Sequence, residues 1–333
     1  MMLQSVTKML TQSIRRLVAE TTPAVQAPLL DEHGLQELAL YARSLPWSLL
    51  TFRHMASHPL IGETPSVYRG RGLEFQDNRA YQPGDEPRLL NWRLYARTGE
   101  LYTRVFTEER RPQVFMVVDR RAAMRFATRR QLKVTLAAKI AACYAWQSQQ
   151  QGLAVGGMLL NQTPDWIEPA VGENALQNLL QTLVAASPPL PFDSEQPELV
   201  DSLRLLLQRL PAGSFLLLVS DFADLDRDDV LKLLPQLAER YTVQAIQILD
   251  AVEARLPSHG DFLINNADTA QALAISARDE LLHTLYADTF SERQAQLASS
   301  FSQCGIPFKT CTTENELHSC LKPYDLEPPD VDS

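Results

Sequence analysis

The sequence is poor in the residues and motifs that bind soft metals or carry out nucleophilic catalysis. It contains only 4 Cys and 6 His in 333 residues, without a C-x-x-C pair or an accompanying His pair at zinc-site spacing. The G-x-S-x-G, H-E-x-x-H, G-x-G-x-x-G and P-loop patterns are missing as well. These absences argue against a zinc site, a serine-hydrolase elbow and a nucleotide-binding loop, and we predict a protein without a cofactor.

Long apolar segments and an excess of positive charge are also absent. No run reaches the roughly 18 apolar residues that span a bilayer, and the formal net charge is −9. Bulk charge of this sign does not attract nucleic acid or anionic lipid. Because no secretion signal is evident and the cysteines show no disulfide spacing, we expect a cytoplasmic protein with reduced thiols and no membrane span.

What the sequence does contain is a concentration of arginine. Fourteen Arg and eight acidic residues lie between Arg69 and Arg130, interleaved with aromatics and with turn pairs such as Pro83-Gly84. We interpret this composition as an ion-pair network that stabilises a small β-rich module. The residues predicted to form the network are Arg79, Arg88, Arg93, Arg97, Glu74 and Asp85. The alternative is that the aromatics stack on single-stranded bases, although the interspersed acids weigh against it.

The remainder of the chain alternates apolar strands with helical segments. The runs VFMVV, LAVGGMLL, SFLLLVS and TVQAIQIL favour buried strands, and helices of 10 to 20 residues separate them. This alternation predicts an α/β fold with a doubly wound, mostly parallel sheet. We divide the chain into a helical lead (1–64), an Arg-rich β module (65–112), an α/β domain (113–322) and a disordered acidic tail (323–333).

Three aspartates directly follow apolar strands. Asp119 follows VFMVV, Asp221 follows SFLLLVS and Asp250 follows TVQAIQIL. In doubly wound sheets, ligands bind beyond the carboxyl ends of the strands where the strand order reverses. Two carboxylates in one such crevice suit a hard cation such as Mg²⁺. Capping of the following turn is the alternative for such strand-end aspartates, and we favour it on the residues alone.

Short motifs occur in a fixed order across this region. They read R-G-x-G-L-E-F, R-x-Y-x-P-G-D, W-x-x-x-A-R-T-G, F-x-E-E-R and V-V-D. As a set they resemble a bacterial family, domain of unknown function 58, over roughly residues 65–256. The resemblance implies a fold similar to von Willebrand factor A domains. It also implies partnership with a MoxR-type AAA+ ATPase, and other proteins that contain von Willebrand A domains are further candidate partners.

The resemblance further implies a metal-ion-dependent adhesion site, which the sequence matches only in part. In the von Willebrand A fold this site is D-x-S-x-S after the first strand, completed by a distant Thr and a later Asp. Asp119 matches the first position and Asp221 the later Asp, but Arg121 and Ala123 stand where the serines would be. Because two oxygen ligands are lost and a cation is gained, we predict a degenerate site without metal, in which Arg121 pairs with Asp221.

The function predicted from these observations is not catalytic. We expect an adaptor or assembly factor that meets a MoxR-type ATPase through the loops at the strand ends. The side chains expected to engage the partner there are Arg120, Arg121, Arg125 and Asp224. Two alternatives stay open: a divalent-metal-dependent hydrolase or nuclease that uses Asp119 and Asp221, and a nucleic-acid-binding module that uses the Arg-rich segment.

Overall fold

The computed structural model divides the chain into two compact units. It describes residues 28–50, 73–108, 112–188 apart from 126 and 129, 196–225, 228–254, 261–265, 272–276 and 280–323. One unit, here called the Arg-rich module, comprises residues 55–111, and the other, the sheet domain, comprises residues 1–54 and 112–333. Most of the predicted helical lead and nearly all of the predicted acidic tail lie outside the described residues.

Strands and helices alternate along the described residues. The strands are β1 (Leu73–Ala80), β2 (Tyr102–Glu108), β3 (Gln113–Asp119), β4 (Ala154–Leu160), β5 (Pro164–Ala170), β6 (Phe215–Ser220), β7 (Thr242–Leu249), β8 (Asp261–Asn265), β9 (Ala272–Ser276) and β10 (Phe308–Thr312). The helices are α1 (Glu32–Ser44), α2 (Trp92–Thr98), α3 (Lys133–Gln150), α4 (Glu173–Val184), α5 (Leu199–Arg209), α6 (Asp228–Leu231), α7 (Leu234–Arg240), α8 (Ala251–Ala254), α9 (Glu280–Gln303) and α10 (Leu317–Leu321).

The sheet domain is built on a six-stranded, mostly parallel sheet. Its strand order is β10-β7-β6-β3-β4-β5, and only the β4–β5 pair is antiparallel. The chain therefore starts in the middle with β3, winds outward through β4 and β5, and returns to the other side of β3 with β6. This order is that of a doubly wound fold, which confirms the predicted fold class. The reversal lies between β3 and β6.

Helices cover both faces of this sheet because the central strands are apolar on both sides. On β3, Val114, Met116 and Val118 face one buried core, whereas Phe115 and Val117 face the other. Helices α1, α3, α4 and α10 contribute to the first core, and α5, α7 and α9 contribute to the second. Burial of each aliphatic side chain contributes roughly 1.5–3 kcal/mol to the free energy of folding. The edge of the sheet at which the parallel strands end, here called the carboxyl edge, therefore rests on a rigid scaffold.

The segment 28–50 belongs to the sheet domain instead of forming a separate lead. Helix α1 ends at Ser44 because Leu45 precedes Pro46, and a residue before proline disfavours helical dihedrals. Beyond it, Trp47 Nε1 donates to the Leu321 carbonyl at 2.9 Å, and Leu49 N donates to Gln147 Oε1 at 2.7 Å. These bonds tie the segment to α10 and α3.

The Arg-rich module contains a helix that the prediction of a β-rich element omitted. Its strands β1 and β2 pair antiparallel, and α2 lies between them in sequence. The Asn91 side chain caps α2 by accepting from Leu94 N at 3.2 Å, and Gly99, with φ of 75°, ends it in the left-handed conformation. Capping by Asn and termination by Gly are the usual signals of a helix, and here they act on only seven residues.

The segment 228–240 forms two short helices, α6 and α7, because Pro235, in the first turn of α7, has no N–H to continue a helix from α6. Strands β8 and β9 pair antiparallel in a separate two-stranded sheet. Within the described residues, no helix is long and apolar enough to cross a membrane.

Candidate functional site

The three strand-end aspartates lie at the carboxyl edge of adjacent strands. Asp119 ends β3, Asp221 follows β6 and Asp250 follows β7, and these strands are neighbours in the order β7-β6-β3. All three side chains are buried, with exposed fractions of 1%, 3% and 0%. The predicted shared crevice at the reversal of strand order therefore exists. Ionised carboxylates buried this deeply need partners, and those partners define the site.

Arg121 surrounds Asp119 with hydrogen-bond donors. Its backbone N–H donates to Asp119 Oδ1 at 2.9 Å, Nε donates to the same carboxylate at 3.1 and 3.2 Å, and Nη2 donates to Oδ2 at 2.8 Å. The hydroxyl of Ser220, the last residue of β6, also donates a hydrogen bond to Asp119 Oδ2 at 2.7 Å. The Asp119 carboxylate is thus engaged on both oxygens by groups from two neighbouring strand ends.

The same guanidinium joins a second carboxylate. Arg121 Nη1 is hydrogen-bonded to Asp224, whose side chain is 30% exposed, and also lies 3.4 Å from the Pro197 carbonyl. Burial alone would lower the pKa of Arg121, but the attraction of Asp119, with that of Asp224 and Asp221, outweighs it and raises the pKa above its ordinary value. Arg121 is therefore a permanent cation at the centre of the edge.

The predicted pairing of Arg121 with Asp221 takes a different form. The hydrogen bonds of the guanidinium go to Asp119 and Asp224, whereas Asp221 acts on it as a nearby negative charge. Asp221 Oδ2 instead accepts from Lys133 Nζ at 3.3 Å. Arg121 is only two residues from Asp119, so the hydrogen bonds between them are local in sequence. Its partner that is distant in sequence is Asp224, in the turn after β6, and not Asp221.

Lys133 is a second cation built into the edge. It is the first residue of α3 and is completely buried. Its ammonium lies 2.8 and 3.1 Å from the two oxygens of Glu253, a residue of α8 that is 1% exposed, in addition to its bond to Asp221. Lys133 therefore shares its single positive charge between two buried carboxylates from two different connections of the sheet.

Asp250 is bound by hydroxyl and backbone donors. It accepts from the hydroxyl and N–H of Thr128, from the Thr313 hydroxyl at 2.8 Å and from Val252 N at 3.1 Å. Burial would raise the pKa of Asp250, but these donors prevail and lower it. The Glu253 carboxylate in turn accepts from Asp250 N at 2.8 Å. This reciprocal arrangement is a capping box that starts α8 and holds Glu253 next to Lys133.

Arg120 and Arg125 bind backbone carbonyls of the same domain. Arg120 is 2% exposed and donates to the carbonyls of Thr182, Ala185 and Ala186, which end α4. Arg125 donates to the Arg120 carbonyl at 2.7 Å and to the Pro188 carbonyl at 2.5 Å. Burial lowers the pKa of both arginines, and repulsion by Arg120 helps to lower that of Arg125 to about 10. The arginines predicted to engage a partner thus have internal acceptors instead.

The loop after β6 contains a strained residue. Phe222 has a φ of 52°, in the left-handed region that a bulky side chain rarely adopts. Its N–H donates to Ser220 Oγ at 3.0 Å, Ala223 N donates to Asp221 Oδ1 at 3.0 Å, and its ring packs edge-on against Phe301. Such strain persists only when the surroundings over-determine it, and here the same connection places the Ser220 hydroxyl on Asp119 and the Asp221 carboxylate beside Lys133.

A small cavity lies beside this loop. Its volume is about 30 Å³, and its lining includes Asp221, Gln247, Glu253, Tyr286 and Arg293. This space holds about two water molecules. It gives the carboxylates room for hydration but no room for an organic substrate.

The residues at this edge do not fit a divalent-ion site of the adhesion type. The two hydroxyl positions hold Arg121 and Ala123, and Asp119 and Asp221 already contact ammonium or guanidinium donors. Mg²⁺ requires several hard oxygen ligands at short distance. A divalent ion bound by Asp119 and Asp221 would have to displace the Arg121 guanidinium and the Lys133 ammonium, both of which are buried. Among the described residues, no group of three His, Cys, Asp or Glu is arranged to hold one.

The edge residues all fall inside a region shared with known proteins. Residues 77–296 match the family described as "Protein of unknown function DUF58". The chain belongs to this family. The resemblance inferred from the motifs is thereby confirmed, and Asp119, Lys133, Asp221 and Glu253 lie within the matched residues.

The similar curated DUF58 relatives are themselves uncharacterised. "Uncharacterized protein Rv1480" of Mycobacterium tuberculosis is 26% identical over 269 residues, which cover 80% of this chain and 83% of the relative. "Uncharacterized protein MAV169" of Mycobacterium avium is 27% identical over 147 residues, which cover 44% of this chain and 83% of the relative. Their names assign no activity.

Similar solved structures are distant. BatB from Bacteroides thetaiotaomicron has a TM-score of 0.34 and 10% identity, covering 58% of this chain and 98% of that chain. An aerotolerance-related membrane protein from Bacteroides fragilis has a TM-score of 0.38 and 10% identity, and the match covers 63% of this chain and 94% of that chain. A von Willebrand factor type A protein from Catenulispora acidiphila has a TM-score of 0.30 and 10% identity, and the match covers 44% of this chain and 35% of that chain. At these values no function passes from them to the DUF58 chain.

The arginine network predicted for the Arg-rich module is reduced to one ion pair among the described residues. Arg79 Nη2 lies 2.5 Å from Asp85 Oδ1, and Asp85 also accepts from Gln82 N and the Thr103 hydroxyl. The Gln82 bond, together with Arg79 and Thr103, overcomes desolvation and lowers the pKa of Asp85. Arg88, Arg93 and Arg97 are exposed instead. The Glu74 side chain lies outside the described residues.

The sequence arguments missed Lys133, Glu253 and Ser220 at the edge of this DUF58 domain. Lys133 shares a helical stripe with Leu136, Ala137 and Ile140, and a lone cation on an apolar stripe signals a buried partner. Glu253 stands three residues after Asp250, which is the spacing of a capping box. Ser220 carries no comparable signal, because a serine before a strand-end aspartate is common.

Proposed function

We propose that this DUF58 protein is a non-catalytic adaptor or assembly factor that works with a MoxR-type AAA+ ATPase. The observation that supports this most directly is the neutralised edge: Asp119 and Asp221 are engaged by Arg121 and Lys133, both buried. Carboxylates held in this way are not free to bind a catalytic metal or to act as general acid and base. The edge then serves as a rigid scaffold for the loops around it.

The partner itself is inferred from the family. The motif set resembles a family whose members are associated with MoxR-type ATPases, and proteins with von Willebrand A domains are further candidate partners. Loops positioned on a rigid sheet are common sites of protein recognition. A metal-dependent hydrolase that uses Asp119 and Asp221 is less well supported because it needs these carboxylates free.

The test is direct binding between this protein and the MoxR-type ATPase encoded in the same organism. Purified proteins are combined with ATP, ADP or a non-hydrolysable ATP analogue, and the affinity is measured by calorimetry or by co-elution at low and high salt. We expect nucleotide-dependent binding that weakens with salt, since exposed charges are screened over about 8 Å at physiological ionic strength. An AAA+ ATPase of another class is the negative control. Lack of binding in all three nucleotide conditions would overturn the proposal.

A further inference from the structure

Helix α2 of the Arg-rich module exposes two large aromatic side chains. Trp92 is 58% exposed and Tyr95 is 43% exposed. They stand three residues apart, so they share one side of the helix, and their rings meet edge-to-face with centroids 6.3 Å apart. Exposed aromatics clustered in this way are uncommon on a protein surface unless the surface binds something.

Three arginines lie close to the aromatic pair in the chain, and the two on α2 lie on a different exposed side of the helix from Trp92 and Tyr95. Arg93 and Arg97 lie on α2 at a spacing of four residues, and Arg88 lies in the 3-10 turn just before it. All three are exposed, and the described residues provide none of them with an ion-pair partner. As far as the described part of the chain goes, their donors remain available for carboxylates of another molecule.

The helix holds these side chains in a defined arrangement. The Asn91 cap fixes its start, and Asn91 Nδ2 also donates to Asn78 Oδ1 of β1 at 2.8 Å. Asn91 N donates to the Tyr102 carbonyl of β2 at 2.8 Å, and Gly99 N closes the last turn. The surface is therefore anchored to both strands, which reduces the entropy lost when it binds.

We infer that the α2 surface, formed by Arg88, Trp92, Arg93, Tyr95 and Arg97, binds an acidic surface of a partner protein. The inference rests on the proposed function, which makes that partner the MoxR-type ATPase. Trp, Tyr and Arg are the residues that contribute most to protein–protein affinity. The three guanidinium groups, which have no ionic partner among the described residues, are complementary to carboxylates, and α2 itself contains no acidic residue.

A protein partner fits this surface better than a nucleic acid does. Glu86 and Glu100 are exposed on either side of the α2 segment, and both would repel a phosphate backbone. The chain as a whole carries a formal net charge of −9. Nucleic-acid binding draws much of its affinity from contacts to phosphates, whereas a protein surface can place its acids against the arginines and leave these glutamates at the rim.

The experiment compares two variants of the α2 surface with a matched control. Arg93→Glu/Arg97→Glu reverses the charge and leaves the aromatics, while Trp92→Ala/Tyr95→Ala removes the aromatics and leaves the charge. Arg43→Glu/Lys232→Glu makes the same change of charge at two exposed positions of the sheet domain. Affinity for the ATPase is measured by calorimetry, a single-stranded oligonucleotide is titrated in parallel, and circular dichroism checks the folding of each variant.

We expect each α2 variant to raise the Kd for the ATPase at least about tenfold, while the control variant stays within about twofold. If the wild type binds the ATPase and both folded α2 variants bind equally well, this inference is wrong and the proposed function stands. If the wild type does not bind, both fail. If the α2 variants lose only affinity for the oligonucleotide, the surface binds nucleic acid and the inference is overturned.

Discussion

The arginines of the sheet edge and those of the Arg-rich module differ in where their donors point. Arg120 and Arg121 are buried, and with Arg125 they bind carboxylates or carbonyls of their own domain. Arg93 and Arg97 are exposed on α2 and, in the described part of the chain, have no ionic partner. An arginine that binds several acceptors of its own domain contributes to stability, whereas an exposed one without an ionic partner among the described residues is available for recognition.

The comparison also separates two kinds of mutational effect. Removing a buried cation at the edge leaves a buried carboxylate without its partner, which costs folding free energy. Removing an exposed arginine leaves nothing unpaired inside the protein, so the free energy of unfolding changes little. The predictions below use this contrast, beginning with the substitution expected to have the largest effect.

Lys133→Met is expected to be the most destabilising single substitution at the edge. It keeps the length of the side chain but leaves Glu253 and Asp221 without their shared ammonium. Breaking a buried pair costs about 3–5 kcal/mol, so urea unfolding should show a much lower midpoint or the variant should be insoluble. Lys232→Met, at an exposed position, is the control. Lys133→Met/Glu253→Gln should recover part of the loss, and equal stability of the wild type and Lys133→Met would refute the assignment.

Arg121→Gln and Arg97→Gln test the two regions against each other. Arg121→Gln uncouples Asp119 and Asp224 and should cost about 3 kcal/mol, whereas Arg97→Gln should cost less than about 0.5 kcal/mol. Both are measured as free energies of unfolding in urea at the same pH. Similar losses for the two variants would mean that the module arginines are structural after all.

Asp250→Asn should produce a stability difference that depends on pH. The pKa of Asp250 is lowered in the folded protein, so its ionised form stabilises the fold above the unfolded pKa of about 3.9 and this stabilisation is lost as the pH falls through the lower folded value. The variant should be less stable by about 1–3 kcal/mol at pH 7, and the difference should shrink below pH 4. Unfolding curves at pH 7, 5, 4 and 3 measure this.

Asp201→Asn provides the reference for that series. Asp201 is an exposed carboxylate on α5, so its substitution should leave the curve parallel to that of the wild type. A difference for Asp250→Asn that stays constant down to pH 3 would show that the Thr128 and Thr313 hydrogen bonds do not depend on the charge of Asp250.

Divalent ions should have the smallest effect, because the edge already contains its own cations. Titration of the protein with millimolar Mg²⁺ or Mn²⁺ in a calorimeter should give no saturable signal assignable to Asp119. A saturable signal that Asp119→Ala abolishes would contradict this prediction and revive the metal-dependent hydrolase. Arg121→Ser/Ala123→Ser supplies the two missing hydroxyls, and gain of a signal in that variant alone would identify Arg121 as the residue that replaces the metal.

Much of the sheet domain could be predicted from local patterns. The apolar runs that became β3, β4, β6 and β7 were readable because strands buried on both faces have no polar side to interrupt them. The strand order, with its reversal between β3 and β6, came only from the structure. Helix α2 was missed because its seven residues are too few to show a period, and its Asn91 and Gly99 caps are readable only when a helix is already suspected.

The pairing of charges could not be predicted in the same way. Lys133 meets Asp221 and Glu253 across 88 and 120 positions of sequence, and nothing in the local pattern chooses between these acids and others. The contacts of most arginines escaped prediction for the same reason. Arg88, Arg93 and Arg97 were expected in an internal network and are exposed. Arg120 and Arg125 were expected to engage a partner and donate to carbonyls of their own domain.

The sequence by itself determined the fold class, the family and the loss of the two hydroxyl ligands, because each of these depends on residue identity and local order. Only the tertiary structure decided that Arg121 binds Asp119 and Asp224, that Lys133 pairs with both Asp221 and Glu253, and that Arg93 and Arg97 remain exposed. The physical reason is that the energy of a charge depends on its desolvation and on the nearest opposite charge, and both are set by segments far apart in the chain.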